Sequence, residues 1–262
     1  MNTIRFAFAG DRDISVKVLS FLLSQNAYPL ALMVSHPDRA SHAAQLRSMC
    51  QYLPTDLVFV GKEFRSPKGI KRLRELELDY IIAVHFPYIF PKEVLEIPKE
   101  GVLNLHPAFL PYNRGWHTPS WSILENTPAG ATLHFMDEGI DTGDIVHQRK
   151  IEILPNDTAH SLYARIKEAE FGVFKEAWPL LLTKRYLRRP QDPSQGTTHR
   201  RKDLLRPEIQ KLQLDQLEAI GDTLKRLRAL TTNNIRESAY FEVDGKRYHV
   251  QIQIFPEKGD ND

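Results

Sequence analysis

The sequence predicts an α/β fold in which helices flank a mostly parallel sheet, followed by a small C-terminal extension of one helix and one β-hairpin. Over residues 1–185, short apolar runs alternate with amphipathic stretches, a pattern typical of successive βαβ units. After residue 206 the pattern changes to one amphipathic stretch and one pair of alternating strands. Apolar residues make up 42% of the 262 residues, which is sufficient for a sizeable buried core.

Strands are predicted where short apolar runs stop at glycine, proline or polar residues. They cover residues 4–9, 29–34, 56–60, 79–84, 102–105, 131–136 and 144–153. Helices are predicted where apolar residues recur at helical spacing. They cover residues 13–25, 40–51, 68–77, 120–125 and 158–182, with Thr158 as the cap of the last one. Strands that are apolar throughout are buried on both faces, which favours a parallel sheet.

A basic segment separates this part from the C-terminal residues. Residues 184–206 contain eight Lys or Arg and only two Asp, together with two prolines and a glycine. This composition predicts an exposed linker, and such a run of charge is most often a solvated surface. The predicted domains are therefore an α/β domain at 1–185, a basic linker at 186–206 and a C-terminal subdomain at 207–262.

The C-terminal subdomain is predicted to contain a helix over 212–229 and a hairpin. Asp244-Gly245, between residues of alternating polarity, is a type I′ turn signal. A single hairpin is marginally stable without a surface to cover it. We therefore expect this region to form the interface of a homodimer.

Composition also excludes several classes of protein. The formal net charge is only +2, which argues against a protein that coats nucleic acid. Cys50 is the only cysteine, so an intramolecular disulfide and a Cys-rich zinc site are excluded. The sequence shows no signal-peptide pattern and no apolar run of about 20 residues. We expect a soluble cytoplasmic protein without nucleic-acid or membrane partners.

Two segments carry residues suited to chemistry. Asn104 and His106 lie two apart at the end of an apolar strand, so both side chains point to the same side of the sheet. In open parallel sheets, ligands bind at the carboxyl ends of the strands. Asp141 lies in an acidic, glycine-containing loop after a later strand. An Asn, a His and an Asp suit acyl transfer to an amine, which passes through a tetrahedral intermediate. The oxyanion of that intermediate needs a hydrogen-bond donor, and the attacking nitrogen must lose a proton.

Simpler interpretations of the same residues remain open. By spacing alone, an Asn-x-His pair is more often a pair of satisfied polar groups in the core. The acidic loop is typical of turn chemistry. It also allows a divalent-metal site through Asp137, Glu138, Asp141 and Asp144.

Together, Val102–Pro111 and Met136–Ile145 resemble the signature of the folate-dependent formyltransferases. That family includes methionyl-tRNA formyltransferase, glycinamide ribonucleotide formyltransferase and the sugar N-formyltransferases. Its pattern is Asn-x-His-x-Ser followed by Leu-Pro, with an acidic loop well downstream, and here His106 and Asp141 are 35 positions apart. The Ser of that pattern is Ala108 in this chain. The resemblance implies the formyltransferase fold, a Rossmann-like sheet.

The resemblance also implies the roles of individual residues. Asn104 would bind the formyl oxygen, His106 would shuttle protons, and Asp141 would position His106 and the amine. The donor N10-formyltetrahydrofolate would be held by residues resembling the family's pterin pocket. These are Phe86, Tyr88, Ile89, Asp137 and Glu138. No metal is implied.

The acceptor is predicted from the segments that differ between branches of the family. Gly10–Ile14 has one glycine and two carboxylates, which is unsuited to the phosphate loop of the glycinamide ribonucleotide enzymes. Pro37–Arg39 resembles the tRNA enzymes, but no Lys or Arg follows until Arg47, and the C-terminal part is too short for their β-barrel.

Pro111–His117 resembles the corresponding loop of the sugar enzymes most closely. The predicted acceptor is therefore the primary amine of a dTDP-, UDP- or GDP-linked amino-dideoxy sugar used for surface polysaccharide such as lipopolysaccharide O-antigen. Its candidate contacts are Arg114, Trp116 and His117, although simple packing explains Trp116 equally well. Two alternatives remain: an enzyme like methionyl-tRNA formyltransferase that acts on another amine, and a non-catalytic folate-binding module.

Overall fold

The computed structural model describes residues 4–36 and 42–257. Pro37–Arg39 and the start of the predicted helix 40–51 lie outside the described residues. The strands are β1 Phe6–Gly10, β2 Ala31–Val34, β3 Val58–Val60, β4 Tyr80–Val84, β5 Gly101–His106, β6 Arg114–Gly115, β7 Ala129–Phe135, β8 Ile145–Ile151, β9 Thr198–His199, β10 Ala239–Val243 and β11 Lys246–Val250. The helices are α1 Asp13–Ser24, α2 Ala43–Met49, α3 Pro67–Glu75, α4 Lys92–Leu95, α5 Thr118–Glu125, α6 Ala159–Thr183, α7 Pro207–Gln210 and α8 Ile220–Leu230.

Seven of the strands form one sheet in the order β3-β2-β1-β4-β5-β7-β8. The first five of these strands are mutually parallel, and β7 pairs antiparallel with β5. Every residue of β1, β2 and β4 is buried, as expected for strands covered on both faces. The predicted α/β fold is confirmed. Because the parallel strands end at one edge, the polar residues at their carboxyl ends share that edge.

The chain forms two compact units. The first contains the described residues up to His106 together with Thr132–Gln148 and Glu170–Gln191, and the second contains Pro107–Ala131, Arg149–Ala169 and the described residues from Asp192 onward. Each unit has apolar clusters of its own. Phe64, Leu73 and Val94 are fully buried in the first unit, and Leu204, Leu230 and Ala239 in the second.

The C-terminal hairpin is confirmed, whereas the helix before it is shorter than predicted. β10 and β11 pair antiparallel, and both Asp244 and Gly245 have positive φ, at 50° and 72°, as a type I′ turn requires. The predicted helix 212–229 is wrong for its first part, because α8 begins only at Ile220. Leu212 instead donates its backbone N–H to the Tyr240 carbonyl at 2.7 Å, and this bond to β10 replaces helical bonding.

The basic segment 184–206 combines exposed side chains with an anchored backbone. Most of its charged residues are exposed, as predicted. However, Arg189 exchanges two backbone hydrogen bonds with Ile145, at 2.8 and 3.0 Å, and β9 pairs with β6. Leu204 is fully buried. In the described ranges, no helix is both long and apolar enough to cross a membrane.

Candidate active site

β5 supplies the first two residues of the site. Asn104 and His106 lie two apart within it, so their side chains project to the same side of the sheet. His106, the last residue of the strand, is opposite Thr132 of β7, and Asn104 is opposite His134. His106 is 5% exposed. The sheet therefore fixes both side chains at the edge where the parallel strands end.

The acidic loop between β7 and β8 supplies the third residue. Asp141 has φ of 53°, a left-handed conformation that non-glycine residues rarely adopt. The loop is held in part by Asp137, whose Oδ1 accepts hydrogen bonds from Gly139 N at 2.9 Å and from Thr142 Oγ1 at 2.6 Å. Asp137 thus performs the turn chemistry that composition alone suggested for this loop.

The three residues predicted to be catalytic come together around the Asp141 carboxylate. Asn104 Nδ2 donates to Asp141 Oδ1 at 3.2 Å, and His106 Nε2 lies 3.6 Å from Asp141 Oδ2. The Asp141 side chain is 13% exposed. In this largely dehydrated setting, Coulomb attraction between a carboxylate and an imidazolium is stronger than in water.

His134 is a fourth member of this cluster, and the sequence analysis missed it. Its Nδ1 donates to the Phe135 carbonyl at 2.7 Å, which makes Nε2 the acceptor of the neutral ring. Asn104 Nδ2 lies 3.2 Å from this Nε2. His134 is fully buried. The available signal was that His134 is the only ionisable residue in the apolar strand predicted at 131–136.

The loop after β4 contains three of the five residues predicted to hold the pterin, and the acidic loop contains the other two. Phe86 and Tyr88 contact each other, with ring centroids 5.3 Å apart, and Phe86 also packs on the buried Phe64. Ile89 is 81% exposed. In the acidic loop, Glu138 forms an exposed ion pair with Lys92 at 3.0 Å. Aromatic and exposed apolar side chains of this kind suit a flat ring that stacks and excludes water.

The residues predicted to contact the acceptor belong to the second unit. Arg114 is buried, with its guanidinium packed against Gly196. Trp116 is half-exposed, and the Arg201 guanidinium lies 5.4 Å from the centre of its ring. His117 Nδ1 lies 3.7 Å from Glu237 Oε2. Burial lowers the pKa of His117 below its ordinary value of 6.5 and outweighs the attraction of Glu237.

The acidic loop is also where composition allowed a divalent-metal site. Among the residues that the structure describes, no group of three or more His, Cys, Asp or Glu side chains is arranged to hold a metal ion. Of the four acidic residues that composition offered for such a site, Asp137 serves the turn and Glu138 pairs with Lys92.

Comparison with known families identifies the family of the chain. The model of the family described as "Formyl transferase" matches residues 14–178, which include the four clustered residues. A second model, described as "N-formyltransferase dimerization C-terminal domain", matches residues 206–256. The chain belongs to the formyl transferase family. It is a folate-dependent N-formyltransferase.

Individual relatives include enzymes with different acceptors. The chain is 30% identical to a methionyl-tRNA formyltransferase of Geobacter sulfurreducens over 74% of its own length and 63% of the relative. It is also 30% identical to the dTDP-4-amino-4,6-dideoxyglucose formyltransferase of Mycobacterium bovis, over 69% of its length and 75% of the relative.

Two solved structures share the fold. One is a sugar N-formyltransferase from Shewanella sp FDAARGOS_354, with a TM-score of 0.81, 24% identity, and coverage of 98% of this chain and 100% of that one. The other is a formyltransferase from Anoxybacillus kamchatkensis in complex with UDP-4,6-dideoxy-4-formamido-L-AltNAc and tetrahydrofolate. It has a TM-score of 0.52 and 29% identity, and covers 75% of this chain and 97% of that one.

Proposed function

We propose that this enzyme transfers the formyl group of N10-formyltetrahydrofolate to the primary amine of a nucleotide-linked amino-dideoxy sugar. The observation that carries the chemistry is the placement of Asn104 and His106 within 3.2 and 3.6 Å of the Asp141 carboxylate. An amide donor, an imidazole and an orienting carboxylate are the groups that acyl transfer to an amine requires.

Each side chain has a distinct role in this proposal. Asn104 donates to the formyl oxygen, which becomes negatively charged as the amine nitrogen bonds to the formyl carbon. Its Nδ2 contacts both Asp141 and His134, so the formyl oxygen replaces one of these two partners. His106 takes a proton from the amine and delivers it to N10 as the N10–carbon bond breaks. Asp141 orients the imidazole and stabilises its protonated form.

The formyl donor is proposed to bind at the loop after β4 and the acidic loop. The contacts are Phe86, Tyr88, Ile89, Asp137 and Glu138. The exposed Ile89 supports this because a pterin ring needs an apolar surface to cover, and tetrahydrofolate is named in the structure of the Anoxybacillus enzyme. No residue role in this proposal requires a metal.

The acceptor class is supported by the relatives and by Pro111–His117. The Mycobacterium relative is named for a dTDP-linked amino sugar, and the Anoxybacillus structure is named with a UDP-linked one. Trp116 is half-exposed and offers an aromatic face suited to a nucleobase. The neighbouring Arg201 offers a cation suited to a diphosphate. Arg114 and His117 are the other proposed contacts. O-antigen biosynthesis is the proposed context.

The test is direct. The purified protein is incubated with N10-formyltetrahydrofolate and a panel of dTDP-, UDP- and GDP-linked amino sugars, with methionyl-tRNA alongside. Mass spectrometry then measures the net gain of one CO on each acceptor. We expect a gain on one sugar nucleotide that is lost in His106→Ala and kept in His147→Ala, a matched control whose side chain is partly exposed. A gain on methionyl-tRNA alone would reject the proposed acceptor, and no gain on any acceptor would reject the proposed activity.

The proposed organisation is a homodimer in which 1–185 is catalytic, 186–206 is a basic linker and 207–262 carries the interface. Leu217 is fully exposed, and Ile220 is 75% exposed. Exposed apolar side chains in this region are typical of a protein interface, and the matching family model describes a dimerization domain. A monomer in sedimentation at micromolar concentration would contradict this proposal. A cytoplasmic location stays a prediction.

A further inference from the structure

Gln191 makes a bidentate contact with the acidic loop. Its side-chain Nε2 donates to the Asp141 carbonyl at 2.8 Å and to the Gly143 carbonyl at 2.7 Å. These two carbonyls lie on either side of Thr142, so one amide group spans the middle of the loop. Gln191 is part of the predicted basic linker and has no assigned role in the site above.

The position of this contact matters because of the backbone of Asp141. A non-glycine residue at φ of 53° keeps that conformation only where its surroundings enforce it. Asp137 holds the first half of the loop through Gly139 N and Thr142 Oγ1. Gln191 instead holds the carbonyl of Asp141 itself, and so restrains the direction in which the catalytic carboxylate projects.

The main chain before Gln191 is itself fixed to the end of the loop. Arg189 and Ile145 exchange two backbone hydrogen bonds, at 2.8 and 3.0 Å, and Ile145 is the first residue of β8. Residues 189–191 therefore run beside the point where the loop rejoins the sheet. The amide of Gln191 is presented by an anchored backbone rather than by a free surface segment.

We propose that Gln191 is a positioning residue that holds the Asp141 carboxylate against Asn104 and His106. The proposal rests on the formyl-transfer function proposed above. Asp141 contacts these two side chains at 3.2 and 3.6 Å, and misplacing a catalytic group by about 1 Å can lower a rate roughly a hundredfold. Loss of Gln191 removes none of the proposed catalytic side chains, but it removes the two hydrogen bonds that restrain the backbone of Asp141 and Gly143.

The kinetic test compares Gln191→Ala, Gln191→Glu and Gln195→Ala. Gln195 is an exposed neighbour whose amide bonds only to Asp192 in the described structure, so it is the matched control. We expect Gln191→Ala to lower kcat by about ten- to a hundredfold with both KM values changed less than about threefold. Gln191→Glu keeps the size but faces a carboxylate toward two carbonyl oxygens, so its kcat should be at least as low. Gln195→Ala should match the wild type.

A second readout needs no turnover. His106 faces the carboxylate of Asp141, the ring of His134 and, on its own strand, Asn104. Weaker contact with a carboxylate lowers the pKa of an imidazole. We therefore expect the NMR titration of the His106 ring, assigned with His106→Gln, to move to lower pH in Gln191→Ala and to stay unchanged in Gln195→Ala.

These outcomes separate the two proposals. An unshifted His106 titration in a folded Gln191→Ala protein overturns the role of Gln191, as does a kcat equal to that of the wild type. If the wild type formylates no acceptor but the titration shifts as expected, the positioning contact stands and the proposed function fails. Circular dichroism spectra establish that each variant is folded, and Gln191→Glu gives a second variant should Gln191→Ala unfold.

Discussion

The cluster of Asn104, His106, His134 and Asp141 in the first unit and the loop Pro111–His117 of the second unit are built in different ways. In the cluster, Asn104 and His134 are register partners within a seven-stranded sheet, and His134 is fully buried. In the loop, Trp116 is half-exposed, and the strand pairing is limited to the two-residue strands β6 and β9 among the described residues. The proposed formyl-transfer chemistry thus depends on largely buried residues positioned by the sheet, whereas the proposed acceptor contacts include both the buried Arg114 and the half-exposed Trp116. The different acceptors named for the two relatives fit this division.

The largest expected effect comes from removing the amide at the centre of the cluster. Asn104→Ala should lower kcat by about 10²–10³-fold, because loss of one oxyanion donor has an effect of this size, while the KM for each substrate changes little. Formylated product measured by mass spectrometry under saturating conditions gives kcat. Asn233→Ala, at an exposed position, is the control. A kcat within about threefold of the wild type would show that Asn104 does not contact the developing charge.

The second-largest expected effect is on stability and comes from replacing His85, which follows β4 and begins the proposed pterin loop. Its Nε2 lies 2.7 Å from Glu170 Oε1, and Glu170 is fully buried. His85 has φ of 50°. Because glycine adopts this conformation without strain, the variant His85→Gly measures mainly the loss of the imidazole side chain. Removing a partner of a buried carboxylate should lower the free energy of unfolding by about 3 kcal/mol.

Urea unfolding measures this change as a shift of the midpoint at constant slope. His147→Ala removes the exposed pair with Glu176 and should change the free energy of unfolding by less than about 1 kcal/mol. Equal midpoints for the two variants would contradict the prediction and show that the end of β4 is held by its strand pairing alone.

The same contrast explains what the sequence predicted and what it missed. The period of two places Asn104 and His106 on one side of a strand, but their roles, like that of Asp141, come from the resemblance, so each prediction depends on local pattern. His134 enters the site through its register with Asn104 across β5 and β7. Gln191 enters through a contact that spans 50 positions. The local sequence marks His134 only as an ionisable residue in an apolar strand, and it gives no sign of the contact of Gln191. The predicted helix 212–229 is too long, because the backbone hydrogen bond from Leu212 to Tyr240 overrides the local apolar pattern.

A smaller effect is expected at Trp116. If this side chain stacks on the acceptor, Trp116→Ala should raise the KM for the sugar nucleotide by about two- to tenfold and leave the KM for the formyl donor unchanged. Trp116→Phe should recover part of the loss, because it retains an aromatic face. Steady-state kinetics with each substrate varied in turn separates the two constants. An unchanged acceptor KM would support simple packing, the other interpretation of this residue.

The smallest effect concerns the pH dependence of stability at His117. Burial lowers its pKa in the folded protein below 6.5, so the unfolded chain binds a proton more readily than the folded one. Its contribution to stability is therefore fully present above pH 6.5 and is lost as the pH falls below that value. His117→Asn, which tolerates the φ of 59°, should flatten the decline in unfolding free energy between pH 7 and 5. The difference in slope cannot exceed about 1.4 kcal/mol per pH unit for one proton. Identical slopes in the variant and the wild type would mean that the attraction of Glu237 cancels the cost of burying His117. Protonation of His117 would then make no contribution to the pH dependence of the free energy of unfolding.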